Sequence, residues 1–188
     1  MKESKLLLLF LAFLMPLSFS SCEKGVGDFD YGEGFIYIAQ ATLTGGLNNY
    51  CTVPSGWGPD TFNYVLDASS LKVYVSVTRS GKISGAQGFT VKLNDDQALA
   101  QAAVASGEIG NAALLPPSSY TLPATLSVEE GKNVGTSFVS VDRAYLESHI
   151  GENLVMALSI SDPSAYKLAE SNTSVVIIIE TENLFETN

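Results

Sequence analysis

The chain has 188 residues, enough for one domain and two at most. Hydrophobic residues make up 46% and charged residues 16%, so a sizeable core can form and wholesale disorder is excluded. A net charge of −10 argues against nucleic acid as a partner, and one His with two Cys cannot build a structural zinc site or a disulfide framework.

Residues 1–21 read as an address. Lys2 and Lys5 make a short basic start, and Leu6 to Leu17 is an uncharged apolar run. A membrane-spanning helix needs about 20 apolar residues, so this shorter run reads as the central part of a secretory signal peptide. Small residues follow at Ser18, Ser20 and Ser21, and then comes Cys22. This end resembles a bacterial lipobox, with Phe19 in the place where Leu is usual. The resemblance implies that Cys22 is lipidated and becomes the mature N-terminus; the alternative is an ordinary cleavage site beside an unrelated Cys. Each buried acyl methylene contributes about 0.8 kcal/mol, and stable anchoring takes more than one chain. The protein is therefore expected at the cell envelope, as an outer membrane lipoprotein facing either the surface or the periplasm. Losing the leader removes two Lys and one Glu, which takes the charge from −10 to −11. Residues 22–34, acidic and Gly-rich after Cys22, read as a flexible tether. That stretch also resembles, weakly, the surface-export signal of Bacteroides-type lipoproteins.

From residue 35 to 182, apolar residues recur with period two. Strands are predicted at Gly34–Ala41, Leu71–Thr78, Gly88–Leu93, Thr125–Val128, Ser137–Val141, Asn153–Ile160 and Ser174–Glu180. Leu71, Val73, Val75 and Val77 share one face, with Lys72, Tyr74, Ser76 and Thr78 on the other. Leu154–Leu158 is apolar on both faces and Val175–Ile179 is five β-branched residues, so both read as buried strands. Asn94 is a candidate cap for a helix from about Asp95 to Ser106, with Ala98, Leu99, Ala102 and Ala103 as its apolar stripe. Asp142 is a candidate cap for a short helix Arg143–Ile150, and residues 183–188 read as a tail. The expected fold is mainly β: an immunoglobulin-like antiparallel β-sandwich of seven to eight strands with one or two short helices.

The order of these pieces resembles a domain of unknown function that forms the N-terminal module of many Bacteroides-type surface lipoproteins. The matching pieces are Ile36–Ala39, Val73–Thr78, Phe89–Ser106, Leu114–Leu122, Val128–Gly131 and Asn153–Ile160. Two places depart from the family pattern: Ala105–Gly110 lacks a Tyr-Asn pair, and Ala157 stands where Pro is usual. The resemblance implies an immunoglobulin-like fold and a role beside glycan-capture and glycan-hydrolysis systems. That family usually continues into a second domain, so the resemblance carries over no catalytic residue.

The residues offer little chemistry of their own. A Cys or Ser nucleophile needs a base within hydrogen-bond reach, and the sole His149 sits near the end of a short predicted helix, where the helix dipole or plain exposure accounts for it. Cys51 reads as a packed or loop thiol. Glu129 and Glu130 are neighbours that cannot converge on an extended strand, and Asp95-Asp96 suits a helix start. No pattern calls for a metal or another cofactor. The most suggestive region is Tyr50–Tyr64, where aromatic residues lie among Gly and Pro. Trp57 is the candidate platform for stacking on a sugar ring, with Asp60, Asn63 and Tyr64 beside it; Trp57 as a cover over a sheet edge is the other reading. The chain is thus expected to be a non-enzymatic, lipid-anchored glycan-capture or spacer module, with a glycan or an envelope protein as partner. The alternative is a structural or adhesive protein-contact module.

Overall fold

Two six-stranded sheets enclose one shared core. A computed structural model describes residues 34–43, 48–55, 63–81 and 85–186, all within one unit. Cys22 and the expected signal peptide lie outside these residues, as do Trp57 and Asp60. In chain order the strands are β1 (Phe35–Ile38), β2 (Tyr50–Val53), β3 (Tyr64–Leu66), β4 (Ser70–Arg79), β5 (Phe89–Asp95) and β6 (Ala112–Leu114). They continue as β7 (Tyr120–Thr121), β8 (Thr125–Val128), β9 (Val134–Asp142), β10 (Asn153–Ser161), β11 (Lys167–Leu168) and β12 (Ser174–Glu180). The α-helices are α1 (Gln97–Ala105), α2 (Arg143–Glu147) and α3 (Thr181–Glu186). The protein is a mainly β sandwich, as its period-two patterning predicts. The strands beyond the expected seven or eight are short pieces of two to four residues: β2, β3, β6, β7 and β11.

The first sheet runs β11-β1-β4-β9-β7, with β3 also on β4; the second runs β2-β12-β10-β5-β8, with β6 also on β10. Most pairs are antiparallel, but β1·β11, β10·β6 and β12·β2 are parallel. Each sheet has a long strand whose second edge is shared by two others. β4 pairs along its length with β9, while β1 and β3 divide its other edge. Between them, Gln40 Oε1 accepts the Ser76 backbone N–H at 2.9 Å, so the gap in the ladder is filled by a side chain.

Leu71, Val73, Val75 and Val77 face Leu154, Met156, Ile177 and Ile179 across the core. At one corner the sheets come close: a Cβ on Gly135 would collide with the Ser127 carbonyl, so only Gly fits there. The second sheet also buries its outer face. Val155, Ala157, Val176 and Ile178 form a separate cluster with Ala100 and Ala103 of α1. This explains why β10 and β12 are apolar on both faces.

Several local expectations need correction. Asn94 does not cap the helix: it lies in β5, and its amide donates to Ser161 Oγ at 3.1 Å. The cap is Asp96, whose side chain accepts the Leu99 N–H at 3.1 Å. The helix stripe is Leu99, Ala100, Ala103 and Val104, because the sheet beneath decides which side is covered, and Ala98 and Ala102 are exposed. Asp142 does cap α2, accepting from Ala144 N–H at 2.9 Å, but that helix ends at Glu147. Residues Thr181–Glu186 form α3, whose Leu184 is fully buried in the core.

Candidate functional site

The base of the aromatic loop is clasped by Asn63. Its Oδ1 accepts the Ser55 N–H at 3.0 Å, and its Nδ2 donates to the Thr52 carbonyl at 2.8 Å and to Cys51 Sγ at 3.6 Å. Its backbone N–H donates to the Ser55 carbonyl at 3.1 Å. Asn63 therefore positions the loop, tying the end of β2 to the start of β3. Tyr64 lies opposite Val73, an inward residue, and packs against the core. Cys51 is buried, and burial pushes its thiol up against a smaller opposing effect of the Asn63 amide. His149 stacks on Tyr145 with ring centroids 4.1 Å apart, and its Nδ1 lies 2.8 Å from the Tyr145 carbonyl. Cys51 and His149 thus sit in separate surroundings.

A cleft of ≈ 290 Å³ opens beside β2 on the outer face of the second sheet. Parallel pairing of β2 with β12 sets Tyr50 beside Val176 and Thr52 beside Ile178. Since alternate residues share a face, Tyr50, Thr52, Ile178 and Glu180 all point outward. Asn153 joins them because it lies opposite Glu180 in the β10·β12 pair. The other wall is the loop after α1. Gly107, with φ of 73°, turns the chain at the helix end, and Glu108, Ile109 and Gly110 then line the cleft. Asn153 Nδ2 holds that loop by donating to the Gly110 carbonyl at 2.6 Å.

The polar groups inside have identified partners. The Tyr50 hydroxyl donates to Glu108 Oε2 at 3.2 Å, and Asn183 Nδ2 of α3 donates to Glu180 Oε2 at 2.6 Å. Asn48 lines the rim. The cleft thus combines a half-buried aromatic ring, two carboxylates, side-chain amides and the Thr52 hydroxyl over an apolar floor at Ile178. Such a set can stack on the C–H face of a sugar while accepting and donating hydrogen bonds to its hydroxyls. Tyr50 was visible as one of the loop aromatics. Glu108 and Glu180 were not, because their meeting depends on a parallel strand pairing and a helix exit that no local pattern announces.

A second hollow of ≈ 230 Å³ is lined by hydroxyls, among them Ser70, Ser119 and Tyr120, together with Asp142. Several of its polar groups are in structural use. Asp142 caps α2, Ser119 Oγ donates to the Pro116 carbonyl at 2.7 Å, and the Tyr120 hydroxyl accepts from Gln97 at 3.0 Å. Burial, with the neighbouring Asp95 carboxylate, pushes the Tyr120 phenol far up. Among the described residues, no group of three or more His, Cys, Asp or Glu is placed to hold a metal, and no helix is long and apolar enough to cross a membrane.

No protein-family model matches the chain, and no curated protein matches it in sequence. Solved structures do match. One is a candidate carbohydrate binding protein from Bacteroides ovatus, with TM-score 0.51 and 12% identity over 77% of this chain and 36% of that one. A second Bacteroides ovatus protein, of unknown function, gives TM-score 0.53 and 16% identity over 81% of this chain and 52% of that one. A third, also of unknown function, gives 0.52 and 12% over 77% and 46%. The chain therefore spans between 36% and 52% of the length of these structures. At such identities the likeness is one of fold: the same sandwich is part of larger Bacteroides proteins.

Proposed function

We propose that this chain is a lipid-anchored, non-catalytic glycan-capture module of a Bacteroides-type cell envelope. Cys22 is the attachment point, residues 22–34 are the tether, and the Tyr50 cleft is the sugar site. The observation that carries the reading is the convergence of Tyr50, Glu108, Asn153 and Glu180 in one cleft. Its volume, at the low end of the roughly 300–1,000 Å³ usual for ligand pockets, suits a single sugar unit of a longer chain. The carbohydrate-binding description of one fold neighbour points the same way. Trp57 and Asp60, which follow β2 in the sequence, are proposed as further sugar contacts.

Calorimetric titration with a panel of oligosaccharides tests the capture reading. Tyr50→Ala should weaken binding at least tenfold, about 1.4 kcal/mol, and Trp57→Ala should weaken it further if the loop contributes. Binding indifferent to both substitutions would remove this site. Anchoring is tested separately. Cys22→Ala should abolish acyl labelling and release the protein from membranes, and membrane retention without change would sink the lipid anchor.

The second reading, a protein-contact module, draws on the outer face of the first sheet. There Val65, Val134 and Phe138 are 43%, 50% and 44% exposed, and Phe138 pairs with Tyr74 across the strands. Failure of every glycan to bind, together with capture of an envelope protein lost on Phe138→Ser, would favour it.

A further inference from the structure

We infer that the Tyr50 cleft selects a sugar unit bearing a free ammonium group, a hexosamine, and rejects uronate and sulfated units; this rests on the glycan-capture reading above. The argument starts from charge. Glu108 and Glu180 both line the cleft, and among the described residues none that lines it is Lys, Arg or His. The hydrogen-bond donors that hold the two carboxylates are neutral, the Tyr50 hydroxyl and the Asn183 amide. These contacts orient the carboxylates without cancelling their charge.

The surroundings add to this field. The C-terminal end of α1, a source of partial negative charge, directly precedes the loop that carries Glu108. The chain as a whole carries −10. A concave site lined by one sign of charge concentrates the potential at its mouth. An anionic unit entering it would meet two like charges with no cation to offset them. An ammonium would form charge-assisted hydrogen bonds, roughly twice as strong as neutral ones, to carboxylates already held in place. Glucosamine and its N-acetylated form present the same ring face to Tyr50, so the amino group is what separates them.

The test is calorimetric titration of the full chain with three probes: glucosamine tetramer, N-acetylglucosamine tetramer and galacturonate tetramer. It is run at about pH 5.5, where the sugar amine is protonated and a carboxylate is not. Glucosamine tetramer should bind at least tenfold tighter than its acetylated counterpart, about 1.4 kcal/mol, and galacturonate tetramer should give no heat. Glu108→Gln with Glu180→Gln should shrink that preference to about twofold. Glu129→Gln with Glu130→Gln makes the same charge change on a distant exposed turn and should leave the preference intact. A preference lost equally in both double variants would assign it to net charge and overturn the inference. Equal binding of all three probes would overturn it while leaving glycan capture standing. No heat with any of the three probes would overturn it too, and the wider oligosaccharide panel then decides glycan capture by itself.

Discussion

The two sheets treat their outer faces in opposite ways. In β4 the inward residues are buried and the outward ones half-exposed in strict alternation, and the outer side of the first sheet is left to water. In β10 and β12 runs of five consecutive residues are buried, because α1 covers the outer side of the second sheet. The difference bears on function. A bare, flat sheet face offers a surface, whereas a sheet partly covered by a helix offers a step, and the Tyr50 cleft lies at the foot of that step. Its floor residue, Ile178, belongs to the same apolar cluster as α1.

Substitutions in the shared core should break both sheets together. Ile177 is 1% exposed, and Ile177→Ala should cost about 2–5 kcal/mol, read as the loss in free energy of denaturant unfolding. The comparison itself is sharpened by making one change on each outer face. Val155, fully buried beneath α1, should lose about 1–3 kcal/mol when replaced by Thr, because a hydroxyl there has no solvent to turn to. Val134, on the bare face and 50% exposed, should change by no more than about 0.5 kcal/mol on Val134→Thr. Equal costs would mean that α1 does not seal the second sheet.

The last effect, one that depends on pH, belongs to the turn between β3 and β4. Asp67 Oδ1 accepts the backbone N–H groups of Ser69 and Ser70 at 2.9 and 2.7 Å, and Lys72 Nζ lies 3.2 Å from Oδ2. These contacts, the backbone donors first, hold the Asp67 carboxyl well below the usual range. A carboxyl lowered in the folded state stabilises it above the unfolded value near 4, and that contribution fades as pH falls below it. Asp67→Ala should therefore lower Tm at about pH 7, and the gap from wild type should narrow towards about pH 2. A gap independent of pH would show that the turn acts through its shape alone.

Much of the fold was legible because its signals are local. Period two at Leu71–Val77 and the β-branched run Val175–Ile179 need no partner to be read, and the seven predicted strands all exist. Strands of two to four residues, such as Tyr120–Thr121 and Lys167–Leu168, carry too little pattern to be seen. Asn94 looked like a cap because a cap and a strand end share the same polar residue types; the pairing with β10 settled its place. The candidate site was legible only in part. The aromatic loop drew attention to Tyr50 and Asn63, but Asn63 clasps the loop base, and the groups that join Tyr50 come from residues 108, 153 and 180.

By itself the sequence determined that this protein buries apolar faces as β layers, since alternation and β-branching are properties of consecutive residues. It also determined the strongly acidic charge. Only the tertiary structure decided which short strands close the sheets, which face α1 covers and which carboxylates share a cleft with Tyr50. Those outcomes depend on strand register and helix docking, and both are set by contacts between segments far apart in the chain.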